Sequence, residues 1–204
     1  MRIIGGQFKG RKLLDCFKHK ELRPTTDFNR ETLFNLLQNA KFLHEIAFKL
    51  NQSLFIDICC GSGSVAIEAI SRGANEILLI DNNDEHLAIA RKNIEKLNLE
   101  LRSTILKNDA RKIKSLKTNH NFNNDWTVIF CDPPYDFNYH SIFQNLFEKA
   151  LITPKTLIIC EFSDDKLDKF SNFFPNQLKE LALKKNGKTF FGFYQKIFSN
   201  FIDL

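Results

Sequence analysis

The chain has 204 residues, of which 43% are hydrophobic, so it is long enough to form the core of one sizeable domain. Its formal charge of +5 permits contact with a polyanion but is too small to establish one. The five cysteines form no C-x-x-C pair and no apolar run is long enough to cross a membrane, which argues against a disulfide framework or a membrane protein. The start lacks the apolar stretch of a signal peptide, so we expect a cytoplasmic protein.

The first 50 residues are rich in basic side chains. Short apolar runs on either side of Gly5-Gly6 predict a small hairpin. Apolar residues at helical spacing then follow Thr26, which is a plausible N-cap. We expect residues 1–50 to form an extension of a main domain over residues 51–204. The charges alone are explained at least as well by a solvated surface.

After residue 50, short apolar runs alternate with amphipathic stretches, which predicts an α/β fold with a mostly parallel, doubly wound sheet. The last two runs are joined by Asn186-Gly187, which favours an antiparallel hairpin with a type I′ turn. The predicted strands are Leu54–Cys59, Glu76–Ile80, Ser103–Leu106, Thr127–Cys131, Thr156–Glu161, Leu178–Lys185 and Lys188–Lys196. The predicted helices of this part cover residues 64–72, 83–97, 139–150 and 165–173.

A glycine-rich segment, "DICCGSGSVA", follows the first of these strands and opens a helix. Glycines let a ligand approach the backbone, and a helix start offers free N–H groups, so a nucleotide-like cofactor is the expected occupant. Asp81 stands 20 residues after Gly61, at the end of the next strand, where a carboxylate can accept hydrogen bonds from ribose hydroxyls. This pattern does not distinguish NAD from S-adenosylmethionine, since both contain an adenosine ribose.

Acidic residues end several of the predicted strands. Ligands of doubly wound sheets bind outside the carboxyl ends of the strands, so these acids should border one cleft. Asp109 could accept a hydrogen bond from an adenine amino group and the Ala110 N–H could reach a ring nitrogen, or Asp109 could simply cap a turn. The four acids at strand ends are Asp57, Asp81, Asp109 and Asp132.

The segment "CDPPYDF" at residues 131–137 ends the fourth strand of the main domain. Two consecutive prolines remove backbone donors and fix φ, so the segment should be a rigid loop. A nucleobase amino group is a poor nucleophile that must be oriented, and the Asp132 carboxylate and the Pro133 carbonyl could each accept one of its N–H groups. Tyr135 offers a stacking face for an extruded base. The alternative is a solvent-exposed turn with a capping aspartate.

The segments "MRIIGGQFKGRKL", "LRPTTDFNRETLFNLL", "DICCGSGSVAIEAISRGA" and "CDPPY" together resemble the RsmD-type guanine-N2 methyltransferases of bacterial small-subunit ribosomal RNA. The resemblance implies a seven-stranded class I methyltransferase sheet with an antiparallel terminal strand and a small N-terminal hairpin. It also implies methyl transfer from S-adenosylmethionine to a guanine 2-amino group of 16S ribosomal RNA, free or in a small-subunit particle. Two departures are Cys59-Cys60, where the family commonly has Phe-Ala, and Asp81, where it often has Glu.

The resemblance assigns roles to individual residues. The expected catalytic residues are Asp132, Pro133, Pro134 and Tyr135. The expected S-adenosylmethionine-binding residues are Asp57, Cys59, Gly61, Ser62, Gly63, Asp81, Asn82, Asp109 and Ala110. The expected RNA-binding residues are Arg2, Lys9, Arg11, Lys12, Arg23 and Arg30.

Three other functions remain open at this point. A DNA adenine-N6 methyltransferase shares Asp-Pro-Pro-Tyr but usually carries a target-recognition domain for which this chain has no room. An NAD-dependent dehydrogenase explains the glycines and Asp81 but gives Asp-Pro-Pro-Tyr no task. An RNA-binding module with an inactive cofactor site is the third. The histidines are scattered without the spacing of metal ligands, so we expect no metal, and we expect a monomer.

Overall fold

The computed structural model describes residues 1–15, 25–113, 125–133, 139–148, 151–163 and 177–196. The strands of this part are β1 (Ser53–Ile58), β2 (Glu76–Asp81), β3 (Ser103–Lys107), β4 (Trp126–Cys131), β5 (Thr156–Ser163), β6 (Leu178–Asn186) and β7 (Thr189–Lys196). The helices are α1 (Asp27–Asn39), α2 (Lys41–Glu45), α3 (Ser64–Ser71), α4 (Asp84–Leu97) and α5 (Tyr139–Glu148). Single 3₁₀ turns lie at Leu50–Gln52, Glu100–Arg102 and Ala110–Lys112.

The described strands form one seven-stranded sheet in the order β3-β2-β1-β4-β5-β7-β6. Strands β1 to β5 are parallel, whereas β7 pairs antiparallel with both β5 and β6. The predicted α/β, mostly parallel, doubly wound sheet with an antiparallel end is therefore confirmed. The chain winds outward from β1 to β3 and then returns to place β4 on the other side of β1. The ligand crevice of such a sheet lies at this reversal, between β1 and β4.

Helices cover both faces of the sheet, which is why β1 and β4 are buried along their whole length. On one face, side chains of α1 to α4 pack with the strands around Phe55, Leu79 and Phe130. On the other face, α5 and the Ala110–Lys112 turn pack on Ile58, among other strand residues. The near-continuous apolar runs of the parallel strands thus fill two cores rather than one.

Side chains cap the starts of two helices, and the first of these caps, Thr26, was predicted. Thr26 caps α1, because its side-chain oxygen accepts a hydrogen bond of 3.1 Å from the Asn29 N–H. Asn83 caps α4 in the same way, accepting from the Glu85 N–H at 2.8 Å. The predicted helix at residues 165–173 lies outside the described residues, as do the last two residues of the helix predicted at 139–150. No helix of the described part is both long and apolar enough to cross a membrane.

The N-terminal segment lies across α3 and α4. The backbone N–H groups of Ile4 and Gly5 each donate to the Glu68 carboxylate at 2.8 Å. The predicted hairpin is present in a short form: Arg2 and Lys12 form an antiparallel bridge, and beside it the Ile3 N–H donates to the Arg11 carbonyl at 3.0 Å. Ile3 is buried in the same core as the sheet. The division of the chain at residue 50 stays a prediction.

The hairpin turn between β6 and β7 differs by one residue from the prediction. Asn186 pairs with Thr189, so the two central residues of the turn are Gly187 and Lys188, not Asn186 and Gly187. Gly187 has φ 63° and Lys188 has no positive φ, which fits a type II′ turn better than type I′. Asn186 is kept in the strand because its side-chain amide donates to Asn29 Oδ1 at 2.9 Å.

Candidate functional site

The carboxyl ends of the four central parallel strands are level with one another. Ile58 of β1 pairs with Ile80 on one side and Cys131 on the other, and Cys131 pairs with Cys160. The residues that follow this row therefore lie side by side at one edge of the sheet: Asp81, Cys59, Asp132 and Glu161. The end of β4 thus adjoins the glycine loop at the reversal of strand order.

The glycine loop turns sharply after β1. Cys59, Gly61 and Gly63 all have positive φ, at 64°, 53° and 75°. A Cβ atom on Gly63 would lie 2.4 Å from Leu79 Cδ2, so this glycine lets the loop pack against β2. A Cβ atom on Gly61 would have nothing within 4 Å, so the backbone there faces open space. The loop can therefore accept a ligand directly against its main chain, as the binding of a nucleotide-like cofactor requires.

Asp81 holds the glycine loop to the start of α4. Its Oδ2 accepts from the Gly61 N–H at 2.9 Å and its Oδ1 accepts from the Asn83 N–H at 2.9 Å. His86 Nδ1 lies 3.3 Å from both carboxylate oxygens. The sequence prediction placed Asp81 correctly beside the loop but missed His86. His86 follows Asp81 by five residues and lies on the buried side of α4. This spacing was the signal in the sequence that could have indicated the contact.

Asp57 lies beneath the loop and not in the cleft. Its side chain is buried, and its Oδ2 accepts from the Ala66 N–H at 3.2 Å. Burial raises the pKa of this carboxyl to about 8. The expectation that Asp57 borders the cleft is corrected accordingly, because its hydrogen bond fixes the first turn of α3 from within the core.

Asp109 caps the 3₁₀ turn that follows β3. Its Oδ1 accepts from the Arg111 N–H and from Arg111 Nε, each at 2.9 Å, and its Oδ2 accepts from Arg111 Nη2 at 2.6 Å. These bonds to Arg111 hold the pKa of the carboxyl at about 2. The turn-capping alternative left open by the sequence is therefore observed. Ala110 is buried in the second core, and a contact of either residue with adenine stays a prediction.

The strand-end acids act electrostatically on the Cys59 thiol. Burial raises the pKa of Cys59 and the negative charges of the acids raise it further, in the order Asp81, Asp132, Asp57 and Asp109. The electrostatic surroundings keep Cys59 as a neutral thiol beside the predicted cofactor site. Of the remaining predicted loop residues, Ser62 is buried and Asn82 is exposed.

Asp132 and Pro133 come directly after β4. Asp132 is half-buried, and Pro133 is buried. Pro134 and Tyr135, predicted as catalytic residues, lie outside the described part of the chain. Beyond that gap, Tyr139 donates from its hydroxyl to the Glu161 carbonyl at 2.8 Å and so joins the start of α5 to the end of β5.

Glu161 joins the end of β5 to the N-terminal region. Its Oε2 accepts from Thr25 Oγ1 and its Oε1 accepts from Asn29 Nδ2, both at 3.0 Å. Burial raises the pKa of Glu161 to about 7. Asn29 Nδ2 also donates to Thr189 Oγ1 at 3.1 Å, which ties α1 to the terminal hairpin. These partners of Glu161 could not be predicted from the sequence around it, because they lie more than 130 residues away in the chain.

Four predicted RNA-binding residues are exposed on the N-terminal segment: Arg2, Lys9, Arg11 and Lys12. Arg23 lies outside the described residues. The prediction for Arg30 is corrected, since its side chain is only 1% exposed. Its guanidinium donates to the Thr25 and Arg2 carbonyls at 2.8 Å and to Asp27 at 2.6 Å. Arg30 therefore holds the turn before α1 together and does not face solvent.

Known proteins were compared with the chain in sequence and in structure. A family model described as conserved hypothetical protein 95 matches residues 1–195. The ribosomal RNA small subunit methyltransferase D of Haemophilus influenzae is 32% identical over 169 residues, which are 81% of this chain and 80% of that protein. The chain belongs to this methyltransferase D family.

Solved structures agree with this family membership. A candidate methyltransferase of Escherichia coli is 26% identical and superposes with a TM-score of 0.75 over 96% of this chain and 97% of its own. A candidate methylase of Haemophilus influenzae, also 26% identical, has a TM-score of 0.71 over 96% of this chain and 98% of its own. The methyltransferase D family match includes the glycine loop and the end of β4, so it covers both halves of the site.

Proposed function

We propose that the protein transfers a methyl group from S-adenosylmethionine to the 2-amino group of a guanine in small-subunit ribosomal RNA. The observation that carries the proposal is the juxtaposition of Asp132-Pro133 with the glycine loop, through the pairing of Ile58 with Cys131. A nucleobase presented to Asp132 would thereby meet a cofactor bound at the loop. The family's named members are ribosomal RNA methyltransferases, which supports the substrate class.

The residues around the loop fit S-adenosylmethionine. The open backbone at Gly61 would admit the ligand, and the N-cap residue of α3, Gly63, has no side chain that could fill the space before the helix. Asp81 is proposed to accept hydrogen bonds from the ribose hydroxyls, in addition to those it accepts from the Gly61 and Asn83 N–H groups. Asp109 and Ala110 are proposed to border the adenine. The cofactor, when bound, supplies an electrophilic methyl group on a sulfonium.

The end of β4 supplies the chemistry on the base. The guanine amino nitrogen is a weak nucleophile because its lone pair is delocalised into the ring. The Asp132 carboxylate and the Pro133 carbonyl each accept one N–H, which orients the lone pair and stabilises the positive charge that develops on nitrogen. Proline at 133 and 134 keeps both acceptors fixed. Tyr135 stacks on the extruded base in this proposal.

The exposed basic residues of the N-terminal segment are proposed to contact the RNA backbone. The target guanine must be unpaired or extruded, since a paired 2-amino group cannot reach Asp132. We expect the protein to act as a monomer in the cytoplasm, on ribosomal RNA either free or within a small-subunit particle.

The test has two parts. Calorimetry of the purified protein with S-adenosylmethionine and, separately, with NAD should show binding of the former only. A methyl-transfer assay should then label small-subunit ribosomal RNA and leave duplex DNA unlabelled. Binding of NAD alone would favour a dehydrogenase, and labelling of adenine in DNA would favour a DNA methyltransferase. Either result overturns the proposal.

A further inference from the structure

The β6–β7 hairpin brings lysines to the same edge of the sheet as Asp132. Strand β7 runs antiparallel to β5, with Thr189 opposite Ser163, so the hairpin turn lies at the carboxyl end of β5. Strands β4 and β7 are two spacings apart in the sheet, about 10 Å. Three exposed lysines occupy the turn and the end of β6 beside it: Lys184, Lys185 and Lys188.

Two lysines of this hairpin tip lie over aromatic rings, one on each face of the sheet. The Lys184 ammonium lies 5.8 Å from the centroid of the Phe42 ring, and that of Lys185 lies 5.1 Å from the Phe190 ring. Among the described residues, neither Lys184 nor Lys188 forms an ion pair with a carboxylate. Among the described residues the tip therefore carries three lysines within five positions, and positive charge of this kind binds a phosphate backbone.

Hydrogen bonds fix this tip to the catalytic edge. Asn186 Nδ2 donates to Asn29 Oδ1 at 2.9 Å, and Asn29 Nδ2 donates to Thr189 Oγ1 at 3.1 Å. The same Asn29 amide donates to Glu161 Oε1 at 3.0 Å. Glu161 lies near the end of β5, and the neighbouring strand β4 is followed by Asp132. The distance from the tip to Asp132 is thus set by side-chain hydrogen bonds as well as by the sheet.

An exposed aromatic residue lies next to Asn29 in the chain. Phe28, in the first turn of α1, precedes Asn29 and is 63% exposed. The phenyl ring of such a residue gives an unpaired base a face on which to stack. We call Phe28 and the three lysines together the hairpin-tip surface.

The tip of the N-terminal segment is basic but lies away from Asp132. Gln7 and Phe8 donate from their backbone N–H groups to Ser71, at 2.7 and 3.0 Å. Ser71 ends α3, whereas the start of α3 adjoins the glycine loop. The length of this helix, about 10 Å, separates the two ends. Lys9, close to that tip, is therefore not placed beside the reacting base.

We propose that the hairpin-tip surface binds the RNA strand that flanks the target guanine. The lysines contact phosphates of that strand, and Phe28 stacks on an unpaired base next to the target. This inference rests on the proposed function and adds to it a second RNA contact, close to Asp132 and separate from the N-terminal segment.

The test compares two triple variants of the full chain. The tip variant carries Lys184→Gln, Lys185→Gln and Lys188→Gln. The control variant carries Lys49→Gln, Lys155→Gln and Lys179→Gln, which remove the same charge at the opposite, amino-terminal edge of the sheet. Binding of purified small-subunit ribosomal RNA is measured from 50 to 200 mM salt, and S-adenosylmethionine binding is measured in parallel.

The tip variant should bind RNA at least about 10-fold more weakly, and its log–log salt slope should fall by roughly 2, since each lost phosphate contact removes about 0.7. The control variant should behave as the parent, and all proteins should bind S-adenosylmethionine equally. Phe28→Ala should weaken RNA binding about fivefold or more with an unchanged salt slope, because no charge is lost.

Two results would overturn the inference while leaving the proposed function intact. One is a tip variant with the parent's RNA affinity and salt slope, and the other is an equal loss in the control variant. Failure of the parent protein to bind RNA, or a loss in the tip variant that appears with duplex DNA but not with RNA, would instead overturn the proposed function together with this inference.

Discussion

Asp57→Asn should remove a pH-dependent part of the protein's stability. In the folded protein this carboxyl is buried, with a pKa of about 8, whereas its ordinary pKa is 3.8. Between these values the folded state binds a proton that the unfolded state has lost, so stability falls as the pH rises. From pH 6 to pH 8 the loss from this one group is about 2 kcal/mol. Asparagine imitates the protonated acid and keeps an oxygen for the Ala66 N–H.

Urea unfolding at pH 6, 7 and 8 provides the measurement. Asp57→Asn should gain about 2 kcal/mol relative to the parent as the pH rises from 6 to 8. Asp84→Asn is the matched control, because Asp84 is 76% exposed and its effect should not vary over this range. A difference between Asp57→Asn and the parent that is the same at all three pH values would refute the reasoning.

Four further changes probe the site. Glu161→Gln should flatten the dependence of the unfolding free energy on pH between pH 5 and 7. The pKa of about 7 implies that the parent loses about 2 kcal/mol of stability over this range. The same dependence in both proteins, measured by urea unfolding, would contradict this. Gly61→Ala should weaken S-adenosylmethionine binding in calorimetry at a stability cost of only about 1–2 kcal/mol, since its Cβ enters the open space of the site. Gly63→Ala should cost more stability, because its Cβ would meet Leu79, and equal unfolding midpoints would count against this assignment. Asp132→Ala should keep cofactor affinity while methyl transfer falls by about 100-fold or more, and parental activity would exclude the proposed role.

Much of the fold could be predicted because it depends on local patterns. Apolar runs separated by amphipathic stretches placed every strand to within about two residues. The glycine loop and Asp132 could be found because parallel strands bring their carboxyl ends to one edge, whatever the details of packing. Thr26 was recognisable as an N-cap from its own chemistry.

The errors arose where a side chain has partners that are distant in sequence. The sequence spacing between Asp57 and the glycine loop is the same whether the side chain points into the core or into the cleft. The packing of α3 decides the direction of the side chain. Arg30 is expected at the surface by default, yet its guanidinium is buried and donates to three backbone and side-chain oxygens. The turn after β6 shifted by one residue because Asn186 bonds to Asn29, 157 residues away.

The central claim is methyl transfer to a guanine 2-amino group at Asp132. The most direct test is to incubate the protein with S-adenosylmethionine and small-subunit ribosomal RNA, digest the RNA, and identify the methylated nucleoside by mass spectrometry. The account predicts N2-methylguanosine at a single position of the RNA. This nucleoside should be absent when the RNA is incubated with the Asp132→Ala variant. A methyl group on any other nucleoside, or on another atom of guanine, would contradict it.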